Sequence, residues 1–367
     1  MRVERLQLRD FRSYENAAVT LGPGLTVIHG PNGAGKTNLL EALYFGCTAR
    51  SCRTTNEREV VRFGAPAARV VVDGCDRDGG HQLTVGFEPG EPKRITADGA
   101  PVQRLLDAPH RPLICVFLPD RLELVKGPPG LRRAHLDQVV AGLWPARSAT
   151  RRAYAQALVQ RNALISRVRS GASGRDAIAA WDLELATHGV ALRDDRAAAT
   201  AAIADRFERH AEGLGLGGPA TVSYRPRTRA ATAAELASEL ADRLPLDLDR
   251  GFTGHGPHRD DLLLRGEGRE LRVYGSQGQQ RLALLALLLA ERDALAAERA
   301  RPPLVLLDDV MSELDHDRRE RLADELRAGG QAVITTTDLD HVPGARGGKV
   351  ARVAVTRGSV LCEAVAA

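Results

Sequence analysis

The sequence predicts an α/β fold with a mixed α+β lobe: a nucleotide-binding head formed by residues 1–115 and 251–367, with a helical arm and connecting segment, 116–250, inserted between them. Three observations carry this expectation. A glycine-rich loop from Gly30 to Thr37 (GPNGAGKT) lies between an apolar strand and a helix, a second apolar strand from Leu304 to Leu307 ends in two aspartates, and the middle of the chain is rich in Ala and Arg at helical spacing. A chain of 367 residues also exceeds one ordinary core.

The elements follow in order. Met1 to Leu6 alternates like a strand and lacks the apolar run of a signal peptide. Leu25 to Ile28 reads as a buried strand, Asn38 to Leu43 as the helix after the loop, and Val70 to Val72 and Gln82 to Val85 as further strands. From about 130 to 215 the spacing becomes helical: Tyr154, Leu158 and Ile165 share one face, and Trp181, Leu185, His188 and Leu192 another, with His188 read as a packing residue. Ser170 to Gly174 turns one helix back on the next, and Gly213 to Pro219 ends the bundle. A strand at Thr221 to Arg225 precedes a helix opened by a capping box, Thr232 with Glu235. Leu262 to Leu264 and Leu304 to Leu307 then read as strands, the second apolar enough for the centre of a sheet. The longest apolar run, Leu282 to Ala290, falls short of the roughly 18 residues of a membrane span and reads as a buried helix.

Composition narrows the classes. Hydrophobic residues make up 43% and aromatics only 4%, so the core is aliphatic and platforms for stacking single-stranded bases are scarce. The net charge of +4 is compatible with nucleic acid without demanding it. Cys47, Cys52, Cys75, Cys115 and Cys362 are odd in number and contain no CxxC pair, which indicates neither a zinc site nor a disulfide framework and favours a cytoplasmic location.

The chemistry concentrates in three places. In the loop formed by Gly30, Pro31, Asn32, Gly33, Ala34, Gly35, Lys36 and Thr37, glycines let backbone N–H groups close around phosphates, Lys36 reaches the β/γ-phosphates of ATP, and the Thr37 hydroxyl ligates Mg²⁺. Lys36 is one of only four lysines among 51 basic residues, which points to a required point charge. Asp308, at the end of its strand, is placed to hold the Mg²⁺, and Asp309 to act as general base. Ser276, Gly278 and Gln279 open a long apolar helix, where a hydroxyl, an unobstructed amide and the helix dipole make a second anion site.

The order of P-loop, Ser-x-Gly-Gln, acidic strand and Ser312-Glu313-Leu314-Asp315 resembles an ABC-type ATPase head. The resemblance implies an ATP-driven, head-to-tail homodimer in which Ser276 and Gly278 of one copy cap the γ-phosphate held by the other. Two features depart from transporter subunits: the long separation of Lys36 from Ser276, and threonines, in Val333 to Asp338, where a hallmark histidine would follow the last core strand. More specifically, the chain resembles the RecF family of bacterial recombination and repair ATPases. This rests on Leu8 to Tyr14 (LRDFRSY), Gly30 to Leu43, Leu124 to Asp137 (LVKGPPGLRRAHLD), Gly254 to Leu262 (GHGPHRDDL), Ser276 to Arg281 and Leu306 to Asp315.

That resemblance implies a weak, DNA-stimulated ATPase that binds duplex DNA, gapped DNA and boundaries between duplex and single strand, and loads RecA with RecO and RecR, with no membrane partner. It also implies that Arg12 reaches the nucleotide; exposure at a strand end is the other reading of that residue. Arg132, Arg133, Arg147, Arg151, Arg152, Arg161, Arg167 and Arg169 suit phosphate contacts without sequence readout, and equally suit a solvated surface or pairing with acids. Lys126 is a candidate nucleotide or DNA sensor, and His258, Arg259 and Asp260 candidates for fixing the junction of arm and head. The alternatives are an ABC transporter nucleotide-binding subunit and a DNA-binding scaffold with a vestigial ATPase.

Overall fold

The structure, a computed structural model, describes residues 1–105 and 108–363; the end of the expected second head segment, 364–367, lies outside the described residues. The chain divides into two compact units, one of Met1–Asp120 with Leu295–Ala367, the other of Arg121–Ala294.

The first unit is built from two sheets. An antiparallel sheet runs in the order Tyr14–Thr20, Arg2–Phe11, Ala68–Asp76, Gly79–Phe87, Arg94–Ala97, Ala100–Pro101. Val3, Leu6, Leu8, Val70, Val72, Leu83 and Val85 are buried while their neighbours tend to water, the alternation of a half-covered sheet. The second sheet runs Ser359–Glu363, Ala351–Thr356, Leu25–His29, Ala332–Thr336, Leu304–Leu307, Ile114–Phe117, and all of its pairings are parallel except the terminal hairpin. Its central strands are buried almost throughout and mostly apolar, with Thr26, His29, Thr335 and Thr336 the exceptions, as cover on both faces requires.

The helix Lys36–Thr48 packs against strands of both sheets. Gly46 permits this, because a Cβ there would collide with the methyls of Val70 and Val72. Leu39, Leu40, Leu43 and Phe45 fill the space around it.

The second unit combines the helices Pro129–Leu143, Ser148–Arg169, Asp176–Gly213, Ala233–Asp242 and Leu244–Arg250 with a three-stranded antiparallel sheet, Arg269–Glu270, Asp261–Gly266, Ala220–Arg225. Tyr154 and Ile165 are buried on one expected helical face, and Leu185 and Leu192 on the other. Thr232 caps its helix, accepting from the Glu235 amide at 3.2 Å, while the Glu235 carboxylate takes the Ala231 amide at 2.6 Å.

Candidate functional site

The loop geometry follows from its glycines. Gly30, at φ 151°, passes so close to strand Ala351–Thr356 that a Cβ would run into the Val355 carbonyl. Gly35, at φ 114°, opens the helix Lys36–Thr48 with no side-chain cap, so the first amides of that helix are not claimed by a capping side chain. Tyr14 braces the turn through a 3.0 Å hydrogen bond to the Gly35 carbonyl. Lys36 is buried and its Nζ donates to the carbonyls of Gly30 at 2.8 Å and Pro31 at 3.0 Å. Burial lowers the pKa of its ammonium, and Asp309 and Asp308 pull the other way.

The Thr37 hydroxyl lies 2.9 Å from both carboxylate oxygens of Asp308, although the two residues are far apart in sequence. The strand bearing Asp308 is not the neighbour of the strand that enters the loop. Ala332–Thr336 runs between them and supplies Thr335, whose hydroxyl donates to Asp308 at 2.6 Å and accepts the Asp309 amide at 2.9 Å. Thr335 is fully buried, so this clamp fixes both aspartates from below.

Asp309 adopts φ 47°, and its Oδ1 is buried without a hydrogen-bond partner. Burial raises its pKa and the charge of Asp308 adds to this, against the Ser312 hydroxyl, Lys36 and His341. His341, in the single turn Leu339–His341, also has a buried, unpartnered ring nitrogen, Nδ1. No histidine directly follows the core strand, as expected, and the threonines there are engaged: Thr335 by the aspartates, Thr336 by the Asp338 carbonyl at 2.8 Å. His341 was not singled out from sequence. The one available signal was a histidine a turn beyond a core strand.

Arg12 is held by Glu41, which is fully buried: Nε donates to Oε2 at 2.9 Å and Nη2 to Oε1 at 2.8 Å. It borders a cleft of about 720 Å³ lined also by Ser13, Asn38, Arg53, Arg58 and Arg62. Asn38 bridges Ser13 and Arg53, tying this cleft to the first turn of the loop helix.

Ser276, Gly278 and Gln279 belong to the second unit. The Ser276 hydroxyl accepts the Gln279 amide at 3.2 Å and the Gln279 side chain accepts the Ser276 amide at 2.9 Å, a reciprocal cap for the helix Gln277–Arg299. Buried Gln280 anchors the turn through the Leu271 and Gly275 carbonyls. Ser276 and Gly278 are exposed, and so are the large apolar side chains of Val273 and Tyr274 just before them.

The arm arginines divide sharply. Arg161 is fully buried and donates to Asp182, Asp247 and Thr253 at 2.6–2.7 Å. Arg132 is buried against Asp261 at 2.7 and 3.0 Å. These two are structural ions and not DNA contacts, because their charges are spent inside the unit. Arg133 donates to the Asp260 carbonyl, Arg147 pairs with Asp195 and stacks on Trp144, and Arg151 pairs with Asp137. Arg152, Arg167 and Arg169 are exposed.

Lys126 is exposed beside Glu123 at 3.4 Å. His258 bonds the Tyr154 hydroxyl at 2.7 Å and the Thr253 carbonyl at 2.9 Å, and burial pushes its pKa down to about 4; Asp260 accepts from Tyr224 and the Arg227 amide. His258 thus ties the helix Ser148–Arg169 to the segment around Thr253, and Asp260 holds the end of the strand Ala220–Arg225, both within the second unit. His188 is only half-buried and pairs with Glu184 one turn away at 3.1 Å, so it is less a packing residue than its apolar face suggested.

A P-loop helix between two sheets, with an acidic strand one position removed from the loop strand, defines an ATPase head of the P-loop class. Residues 5–86 match the family model of an AAA domain. Over 98% of its length the chain is 36% identical to the DNA replication and repair protein RecF of Streptomyces avermitilis, covering 99% of that protein. It is 39% identical to that of Myxococcus xanthus, over 94% of this chain and 93% of the relative. A solved structure of the recombination mediator protein RecF-ATP in the RecFOR pathway superposes with a TM-score of 0.88 at 26% identity, covering 99% of this chain and 97% of that one. The chain belongs to the RecF family.

Proposed function

We propose that this chain is an ATP-dependent DNA-binding protein of recombinational repair and replication, working in the cytoplasm, in which ATP binding closes two copies head to tail on DNA and slow hydrolysis releases them. The observation that carries the reading is the meeting of Thr37 and Asp308 at 2.9 Å beside Lys36, with Asp309, whose Oδ1 is unpartnered, next along. Such a donor set suits Mg²⁺: a hydroxyl and a carboxylate from separate elements, facing one another at the helix that receives the phosphates. Thr37 and Asp308 would hold Mg²⁺ there, and the ion would supply charge neutralisation to the phosphates of ATP.

Each residue of the site then has a role. Gly30, Pro31, Asn32, Gly33, Ala34 and Gly35 shape the phosphate cradle, Lys36 supplies the point charge, and Asp309 orients and deprotonates the attacking water. Arg12, locked to Glu41, stands at the arginine-lined cleft next to the loop helix, where it would reach the nucleotide. Ser276, Gly278 and Gln279 form the lid offered to the partner copy, and the exposure of Val273 and Tyr274 beside them supports an interface there. Duplex and gapped DNA, stimulation of the ATPase by DNA, and loading of RecA with RecO and RecR are part of the same proposal. Among the described residues no helix is long and apolar enough to cross a membrane.

Sizing with ATP, ADP and no nucleotide, with and without gapped DNA, tests it. Wild type is expected to dimerise only with ATP and Lys36→Met not at all; a Lys36→Met variant that still dimerises with ATP would sink the head-to-tail model.

A further inference from the structure

Away from the nucleotide site, the antiparallel sheet carries a cluster of a different chemistry. Asp76 closes the strand Ala68–Asp76, His81 lies on the next strand, Gly79–Phe87, and His110 comes from the segment leading into the edge strand Ile114–Phe117 of the parallel sheet. One oxygen of Asp76 sits 3.0 Å from His81 Nε2 and the other 3.0 Å from His110 Nδ1. The two imidazoles stack at 3.8 Å between centroids, with only 10° between their planes. The ligand atoms that the three residues offer all lie within 4.8 Å of one another.

The far side of His81 is also a carboxylate. Its Nδ1 lies 2.9 Å from Asp98 Oδ2, and the other Asp98 oxygen is fixed by the Gln82 amide at 2.7 Å. A neutral His81 that donates Nδ1–H to Asp98 therefore turns a lone pair on Nε2 towards an oxygen that is itself an acceptor. A proton or a metal ion on Nε2 joins those two atoms, and a single divalent ion would satisfy Nε2, His110 Nδ1 and the Asp76 carboxylate together. The carboxylate–histidine pair Asp98–His81 is the arrangement that orients metal-ligating histidines.

We propose that Asp76, His81 and His110 form a transition-metal site of the Zn²⁺ class that ties the hairpin to the segment feeding the parallel sheet. With metal–ligand bonds of about 2.0–2.2 Å, a tetrahedral ion needs ligand atoms roughly 3.4 Å apart. The 3.0 Å separations to the two Asp76 oxygens would open by a few tenths of an ångström, while the ligand set as a whole, within 4.8 Å, would draw in and the stacked rings turn to aim their in-plane lone pairs at one ion. The side chains are 9–30% exposed, which leaves a way in and room for water as fourth ligand. Neighbouring groups are Asp78, 3.9 Å from His110, and the Met1 amine, 3.8 Å from Asp76.

Chelator-treated full-length protein is titrated with Zn²⁺ by calorimetry and with Co²⁺ by visible absorption. One equivalent is expected to bind, with a tetrahedral nitrogen–oxygen cobalt spectrum and a higher melting temperature. His81→Ala and His110→Gln should each abolish that equivalent and Asp98→Asn weaken it about 10- to 100-fold. Lys36→Met should keep it, which separates this site from the nucleotide site. Absence of saturable binding, binding that survives the His81→Ala/His110→Gln pair, or a thiolate charge-transfer band from nearby Cys75 would each overturn the assignment. Where a substitution disturbs folding, Zn²⁺-dependent broadening of the His81 and His110 ring signals in wild-type protein decides: unchanged rings overturn it.

Discussion

Replacing Arg161 by Met removes a cation that serves two buried carboxylates. The Arg161 side chain is fully buried, and Asp182 and Asp247 are 5% and 1% exposed. Arg161 reaches Asp182 through Nε at 2.6 Å and Asp247 through Nη1 at 2.7 Å, joining the helices Ser148–Arg169, Asp176–Gly213 and Leu244–Arg250. Breaking a buried ion pair from one side costs about 3–5 kcal/mol. Here two carboxylates lose their partner, so the expected loss is at the upper end, about a thousandfold or more in the folding equilibrium. The two tryptophans, Trp144 and Trp181, both lie in the second unit, so urea unfolding followed by their fluorescence reports this unit alone. The deficit should also depend on pH. Burial raises the pKa of Asp182 and Arg161 opposes that rise. Without Arg161, a raised carboxyl pKa in the folded state contributes stability at low pH that is lost as pH rises through it. The variant should therefore be less impaired at pH 5 than at pH 8. Adding Asp182→Leu and Asp247→Asn should restore most of the loss, because a neutral cluster needs no counter-ion. A loss below about 1 kcal/mol, or one equal at both pH values, would refute the reasoning.

Asp309→Asn should slow ATP hydrolysis by at least about 100-fold and let ATP-bound dimer accumulate, since a general base is removed without change of shape; hydrolysis at the normal rate would remove Asp309 from the mechanism. Because burial raises its pKa in the nucleotide-free head, ionised Asp309 should cost stability near neutrality. The Asn variant should accordingly melt higher than wild type at pH 7.5. Arg152→Gln, Arg167→Gln and Arg169→Gln together should lower the slope of log affinity for duplex DNA against log salt by up to about three, one for each phosphate no longer neutralised; an unchanged slope would place DNA on another face.

The local parts of the fold were legible and the long-range parts were not. Gly30 to Thr37 announces itself because each requirement, a close backbone approach, a positive φ and an uncapped helix start, is met within a few residues. The same holds for Thr232 with Glu235, and for the all-apolar strand Leu304–Leu307. Arg161 and Arg132 stay open in the sequence between phosphate contact and pairing with acids for the opposite reason. Their partners Asp182, Asp247 and Asp261 come from other elements, and an arginine on a helix looks alike in sequence whether it meets water or a buried acid. Thr335 and His341 escaped because their roles exist only where three strands of one sheet bring their ends together. Asp76, His81 and His110 show no ligand spacing at all, since a hairpin and a separate segment assemble them.

The hydrogen bonds at the loop bear on how nucleotide would couple to dimerisation under the proposed reading. Lys36 is satisfied by two loop carbonyls, Thr37 by Asp308, and Asp308 by Thr335. Phosphate and Mg²⁺ would replace these bonds roughly one for one, and an exchange of equals contributes little net free energy. The unpartnered buried atoms are different: Asp309 Oδ1 and His341 Nδ1 already bear the cost of desolvation and gain in full from any new partner. Asp309 directly follows Asp308, and His341 lies in the turn beyond the strand Ala332–Thr336, at the end of the site where the attacking water would be activated. The largest gain on binding should therefore come from the third phosphate and its water, not from the two phosphates that ADP shares with ATP. Under the proposed reading, a head built this way would distinguish ATP from ADP at the atoms it leaves unpaired, as a dimer gated by hydrolysis requires.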